Sequence, residues 1–430
     1  MSKLVLISIQ EGLSQQLFEL SKYSFDGSSI LIAEKQFFQN IGKSGTVGLE
    51  KLFSENDEIK KVITHRGKKH YFKFTSTGKY LTLLGEIRVK RGIFQSNNDK
   101  NSICPLEEKL KFINDYVSFA AAEYICYSLA SMTIREFVEH CRKWSLLKPS
   151  VSTVKRVLDY VGRFIKENGL PDDIAEKEQV ASEAVTLAIS MDGTSVNIKD
   201  EGWKHAGAAT VSTYDATGKR LTTIYIGRMP EKGKKTIKAL LEAEVSAKLS
   251  QHNFKYVVCI ADGAREFWRY FRAKYPDAIH VVDFFHVAEH LSKLSQLLFM
   301  NEMDAKTWYE KYVNILKNAP NGAAKLIRAV RYRRSLLQKN NEIESELKYL
   351  QHNRHRMDYY SLIEKHLPIG SGVIEAACKN LIGARLKRSG MRWTYEGGET
   401  ILTLRSLVLS KRWDAFWNYF LKSHFHNLNT

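Results

Sequence analysis

The spacing of hydrophobic positions changes along the chain, and each change marks a candidate region. Up to about residue 100, apolar and polar residues partly alternate. His70-Tyr-Phe-Lys-Phe-Thr75 and Tyr80-Leu-Thr-Leu-Leu-Gly-Glu-Ile-Arg-Val-Lys90 predict antiparallel strands, and Gln95-Ser-Asn-Asn-Asp-Lys-Asn-Ser102 a polar loop. From Leu106 to Glu167 the period becomes helical, with segments at roughly 107–130, 133–144 and 150–166. The last opens Ser150-Val-Ser-Thr-Val-Lys155-Arg156, a hydroxyl cap leading into basic residues. Gly169-Leu-Pro-Asp-Asp173 and the acidic stretch after it read as a linker. Beyond it the pattern predicts strands at about 185–191, 205–214 and 220–228 and a helix at 234–250. A strand at 256–261, a helix at 264–274 and a strand at 278–282 follow. From Phe284 to about 365 strand signal is almost absent, and a last helix starts near Ser371. Three strands followed by alternating helix and strand predict a mixed α/β sheet flanked by helices.

These changes give expected boundaries: a β-rich region (1–104), a helical region (105–168), a strand-rich part (180–285), an all-helical stretch (286–368) and a closing part (369–430). Within 105–168, a short helix, a turn and a capped basic helix make a helix-turn-helix candidate. An α-hairpin packed for purely structural reasons has the same pattern.

Charge changes the picture. Lys and Arg number 65 against 47 Asp and Glu, a net charge of +18. Such an excess favours nucleic acid or an anionic membrane surface as a partner over a solvated basic surface with no partner. The five scattered cysteines, Cys104, Cys126, Cys141, Cys259 and Cys378, form neither a disulfide framework nor a metal clip. The first ten residues lack a signal-peptide pattern, and no apolar run approaches the roughly 18 residues that span a bilayer. The expectation is a soluble, cytoplasmic protein.

Three carboxylates stand out. Asp192 closes the apolar stretch Val185–Met191, Asp262 closes Tyr256–Ala261, and Glu375 sits in the opening turn of the helix after Gly370-Ser-Gly372. Strand-end carboxylates brought together by an α/β fold hold divalent cations for in-line attack on a phosphodiester. A strand-end Asp also caps ordinary loops, and Glu375 stands one helical turn before Lys379, as in any surface ion pair. The Asp-Gly pairing after two buried-looking strands favours a site, because glycine lets a ligand or backbone approach. Asp283-Phe-Phe-His286-Val-Ala-Glu289-His290 contains His-x-x-Glu-His, the inverted zinc-peptidase pattern, and equally describes a structural histidine pair. A zinc peptidase needs a further ligand and has no use for Asp192, Asp262 or a large basic surface. The run Arg385-Leu-Lys387-Arg388-Ser-Gly-Met-Arg392 follows the Glu375 helix, a placement suited to phosphate contact.

Taken together, Asp192, Asp262, Glu375, the Asp283-x-x-His286 element and the block from Gly370 through Trp393 resemble a bacterial insertion-sequence DDE transposase. The ISKra type, a relative of the Mutator-like group, is most similar, over roughly residues 105–420. The resemblance implies an RNase H-like core interrupted by an all-helical insertion between the second Asp and the Glu, for which the gap of 375 − 262 = 113 leaves room. It implies that Asp192, Asp262 and Glu375 bind two Mg²⁺ or Mn²⁺ ions, with Asp283 and His286 as an accessory pair. DNA contacts are then expected from Lys155, Arg156, Lys379, Arg385, Lys387, Arg388 and Arg392, and the active complex is expected to be a homo-oligomer on element ends and target DNA. Similar proteins carry paired cysteines ahead of the helical region. Here Phe94-Gln-Ser-Asn97 and a solitary Cys104 stand there, so the N-terminal region is expected to fold without a zinc ribbon. A nuclease or resolvase of the same fold, which cuts without joining, shares these residue types.

Overall fold

The partly alternating stretch after residue 60 folds as antiparallel strands, but a long helix precedes it. The computed structural model describes residues 10–12, 14–15, 18, 27–57, 59–96, 101–171, 174–176 and 178–426. It divides into two units, residues 1–169 with 417–430, and residues 170–416. In the first unit, α1 (Gly27–Glu55) leads to β1 (Val62–His65), β2 (Lys68–Thr82), β3 (Gly85–Ser96) and β4 (Ser102–Ile103), a sheet in that order. The β-rich expectation for 1–104 is thereby corrected: α1 places Leu49 and Phe53, one helical turn apart, on the core of Tyr80, Ile87 and Val89. The stretch 80–90 is also two strands rather than one. Thr82 Oγ1 accepts the Leu84 N–H and donates to the Gly85 carbonyl, which turns the chain between β2 and β3. Of the polar loop at 95–102, residues 97–100 lie outside the described residues, as do residues 1–9 and 172–173.

The helical region comprises α2 (Pro105–Leu110), α3 (Phe119–Leu129), α4 (Ile134–Trp144) and α5 (Val151–Asn168). The single helix expected at 107–130 is broken, because Lys111, Asn114 and Asp115 all adopt positive φ before Ser118 caps α3. Capping fixes the next two: Thr133 and Glu136 form a reciprocal capping box on α4, and the Ser150 side chain accepts the Thr153 N–H on α5. Lys155 and Arg156 lie on the exposed face of α5.

In the second unit, β5 (Thr186–Ile198), β6 (Gly202–Tyr214), β7 (Arg220–Arg228), α6 (Lys235–Gln251), β8 (Tyr256–Ala261), α7 (Arg265–Lys274) and β9 (Ile279–Val282) follow in turn. The sheet order is β7-β6-β5-β8-β9; β5, β6 and β7 pair antiparallel, whereas β8 and β9 run parallel to β5. This is a mixed α/β sheet. Residues 186–191 of the central strand are buried without alternation, as a strand covered on both faces should be. A Cβ on Gly207 would meet Ile237 of α6, and one on Gly227 would meet Leu381 and Leu402. Gly227 is the cross-strand partner of Ala208, the residue after Gly207, so α6 and the C-terminal helices cover opposite faces.

After β9 come helices only, among the described residues, as far as residue 364: α8 (Phe284–Leu298), α9 (Glu302–Asn318), α10 (Gly322–Ser335), α11 (Asn341–Asn353) and α12 (Tyr359–Glu364). Next are α13 (Gly372–Ala377), a π-helical turn (Cys378–Gly383), α14 (Ala384–Leu386), α15 (Tyr395–Leu409) and α16 (Trp413–His426), whose residues from Trp417 onward belong to the first unit. No helix among the described residues is long and apolar enough to cross a membrane.

Candidate active site

Asp192 lies inside β5, not at its end. The parallel pairing of β5 with β8 stops at Ser190↔Ile260, while the antiparallel pairing with β6 continues to Ile198↔Gly202. The apolar run stops at Met191 because the strand there leaves β8, so the hydrophobic pattern marks the loss of one neighbour and not the end of the strand. Asp262 directly follows β8, the adjacent strand. Two carboxylates on neighbouring strands therefore emerge at the same edge of the sheet.

Glu375 is brought to them by Asp283. The Asp283 N–H donates to the Ala261 carbonyl (2.9 Å), beside Asp262. The Asp283 side chain, 1% exposed, accepts N–H bonds from Phe285 (2.6 Å) and His286 (3.3 Å) at the start of α8, and from Ser371 (2.9 Å). The Ser371 hydroxyl then donates to Glu375 Oε1 (3.0 Å). One buried carboxylate thus ties the end of β8, the α8 N-terminus and the turn into α13. Burial pushes its pKa up to about 6 against the pull of those three N–H bonds, and Glu375 adds to the rise.

Asp192 feels both other acids. Burial raises its carboxyl above the ordinary range; the Gly193 N–H (2.7 Å) and the Cys378 thiol (3.3 Å) oppose this, and Asp262 and Glu375 reinforce it. Asp262 accepts the Ala264 N–H (2.9 Å). None of the three is ion-paired with Lys, Arg or His among the described residues, although the chain carries 65 Lys and Arg. Neighbouring carboxylates that lack a cationic partner are what a divalent cation offsets. Among the described residues no three His, Cys, Asp or Glu groups converge on one point. Zinc, which takes three or four protein ligands, is poorly served by that arrangement. Magnesium is not, because it is held by one or two carboxylates together with water and substrate phosphate.

Thr194, Cys378, Lys379 and Lys387 line the open cleft with Asp192 and Glu375. The far end of β5 anchors its basic side: Lys387 Nζ donates to Thr194 Oγ1 (2.9 Å), and Trp393 exchanges backbone bonds with Asn197 and Lys199. Lys379, Lys387, Arg388 and Arg392 are exposed. Arg385 is not, and its expected DNA contact is corrected: it is 3% exposed and lies over the Trp393 ring at 5.1 Å. Glu375 makes no ion pair with Lys379 among the described residues.

Among the described residues the histidine motif assembles no group of three metal ligands. His290 Nδ1 lies 2.5 Å from Glu346 Oε2 and its ring stacks on Tyr349 at 3.9 Å, while His286, about two-fifths exposed, is 3.6 Å from Glu289. The two glycines after the aspartates also differ from expectation. What approaches Gly193 is the Ala206 carbonyl of β6, and what approaches Gly263 is the Tyr349 ring, both at distances no Cβ tolerates. Sequence reasoning missed Ser371, Cys378, Thr194 and Tyr349. Only Ser371 left a trace, as part of the Gly-Ser-Gly turn before Glu375.

Residues 190–366 match the model of the ISL3-type DDE family, described as transposase, a span that holds Asp192, Asp262, Asp283 and His286 and stops before Glu375. No curated protein matches the chain. A solved structure of a Drosophila P element transposase strand transfer complex is similar at 10% identity over 71% of this chain and 80% of that one. Its TM-score of 0.27 is too low for that likeness to bear on fold or function. The family match covers less than half of the chain and falls on the segment that carries the two strand-borne aspartates; it supports a transposase function, the cutting and joining of DNA.

Proposed function

We propose that Asp192, Asp262 and Glu375 are the catalytic carboxylates of an RNase H-like core, that residues 286–368 are an all-helical insertion in it, and that two Mg²⁺ or Mn²⁺ ions bind between the three acids. The carrying observation is that Asp262 and Glu375 lie near enough to help raise Asp192, and that none of the three has a cationic partner among the described residues. When bound, divalent cations supply Lewis-acid activation of the attacking oxygen and charge stabilisation at the leaving oxygen. The residues do the rest. Asp192 and Asp262 are fixed by adjacent strands, and Asp283 holds the Ser371–Glu375 turn against them, so three charges keep their spacing as DNA enters. His286 shares the Asp283 cap through its backbone N–H and completes the accessory pair. Lys379, Lys387, Arg388 and Arg392 offer exposed cations beside the cleft for the DNA backbone, and Lys155 and Arg156 do so on a separate helix.

On this reading the same site nicks at an element end and then joins that end to target DNA, within a homo-oligomer. The ISKra placement rests on the block 370–417, outside the ISL3 match. The test is an assay on DNA carrying the sequences that flank the gene, with Mg²⁺, Mn²⁺ or chelator. Metal-dependent cleavage followed by joined products is expected. Cleavage with no joined product points to a nuclease, and metal-independent cleavage rejects the proposal.

A further inference from the structure

Helix α11 delivers one more polar group to the Asp262 turn. A Cβ at Gly263 would lie 2.9 Å from the Tyr349 hydroxyl oxygen, so the phenol head rests against the residue that follows Asp262. That hydroxyl is buried and has no hydrogen-bond partner among the described residues. Its ring cannot swing away easily. It stacks on His290 at 3.9 Å and 23°, and His290 is held in turn by Glu346. His286 meets the ring edge-on at 6.3 Å. Burial first, then Asp262, Asp283 and Glu346, keep the phenol protonated, so it remains a neutral donor. A buried donor held rigidly without an acceptor is costly, and such groups call for an explanation.

We infer that Tyr349 is a further catalytic residue whose O–H donates to a non-bridging oxygen of the DNA phosphate seated at Asp262. This rests on the reading of Asp192, Asp262 and Glu375 as the catalytic carboxylates. An acceptor entering this site is DNA, the substrate of a transposase, and its phosphate oxygens carry the charge that shifts as the bond breaks. A neutral donor stabilises that charge without pairing with the acids, as a lysine in the same place would. The proton stays on Tyr349 throughout, and no covalent link to DNA forms.

Tyr349→Phe keeps the ring, the His290 stack and the contact with Gly263, and removes only the O–H. The cleavage rate should fall about 10- to 100-fold, with DNA affinity and melting temperature unchanged. The loss should shrink for one diastereomer of a substrate with methylphosphonate at the scissile position, where the accepting oxygen is gone. Full activity in the phenylalanine variant overturns the inference, as does a loss of stability in step with rate, an equal penalty for both diastereomers, or a covalent Tyr349–DNA adduct. Asp262→Asn, run in parallel, separates the two readings. An active Asp262→Asn removes the catalytic assignment and this inference with it, whereas an inactive one beside a fully active Tyr349→Phe removes Tyr349 alone.

Discussion

Arg385 and Lys387 stand two positions apart in one basic run and have opposite surroundings. Arg385 is buried over Trp393, whereas Lys387 is exposed and reaches Thr194 at the cleft. Replacing Lys387 and Arg388 by glutamine should therefore weaken DNA binding whatever the sequence. It should flatten the plot of log affinity against log salt by about 0.9 for each phosphate that is no longer neutralised. Arg385→Ala should leave that slope alone and instead lower stability by about 1–3 kcal/mol, since it removes packing and a cation–π interaction. Titrations at several salt concentrations, with a melting curve for each variant, check both; a slope change in Arg385→Ala alone would reverse the assignment. The run was legible as charge, but burial was not. It depends on the chain returning through Gly390 to pair Trp393 with the end of β5, a long-range pairing that leaves no local periodicity.

Elements were legible wherever their signal was local. The cap of α5 and the apolar cores of β5 and β8 stood in the sequence, and so did the positions of Asp192, Asp262 and Glu375 beside them. Misreadings came where tertiary pairing overrides local pattern: β5 runs on past Asp192 because β6 still pairs with it, and α1 buries one side on β3. Helix α16 yields a prediction of its own. His424 is buried, its Nδ1 2.9 Å from the Tyr160 hydroxyl and its Nε2 2.9 Å from the Lys111 carbonyl, which suits a neutral ring that donates from Nε2. Burial lowers its pKa; the bond to the Lys111 carbonyl opposes this, and the Lys111 charge adds to it. A folded pKa below the unfolded one means that stability is present above the ordinary histidine range, near 6.5, and is lost as pH falls through it. Urea unfolding between pH 7.5 and 5.5 should show that loss, reduced in His424→Gln. An unchanged pH slope in the variant would count against the neutral, buried histidine.

Across the whole molecule, charge is arranged more selectively than a net +18 suggests. Among the described residues Asp192, Asp262 and Glu375 have no cationic partner, whereas Glu178 and Glu244 converge on Arg412, with Lys248 on Glu178 (2.8 Å). Burial pushes Glu178 up, but Arg412 and Lys248 outweigh it and hold its pKa below the ordinary value. The network joins the segment before β5, helix α6 and the residue before α16. Arg412→Met should destabilise by about 1–3 kcal/mol, because it leaves partly buried acids without their partner, and Glu244→Gln in the same chain should restore part of the loss. Denaturation of both variants reads this directly, and additive losses would deny the coupling. The long gap between Asp262 and Glu375 announced a helical segment, but not that its α11 returns to the acids through Tyr349, since an aromatic at helical spacing reads as ordinary core.

The catalytic assignment is tested most directly by Asp192→Asn. The amide keeps the shape of the side chain and its bond from Gly193 but offsets no cation charge. Cleavage and joining of element-end DNA in Mg²⁺ should fall about a thousandfold or more, while DNA affinity stays near that of the parent chain. Full cleavage by the asparagine variant would contradict the account.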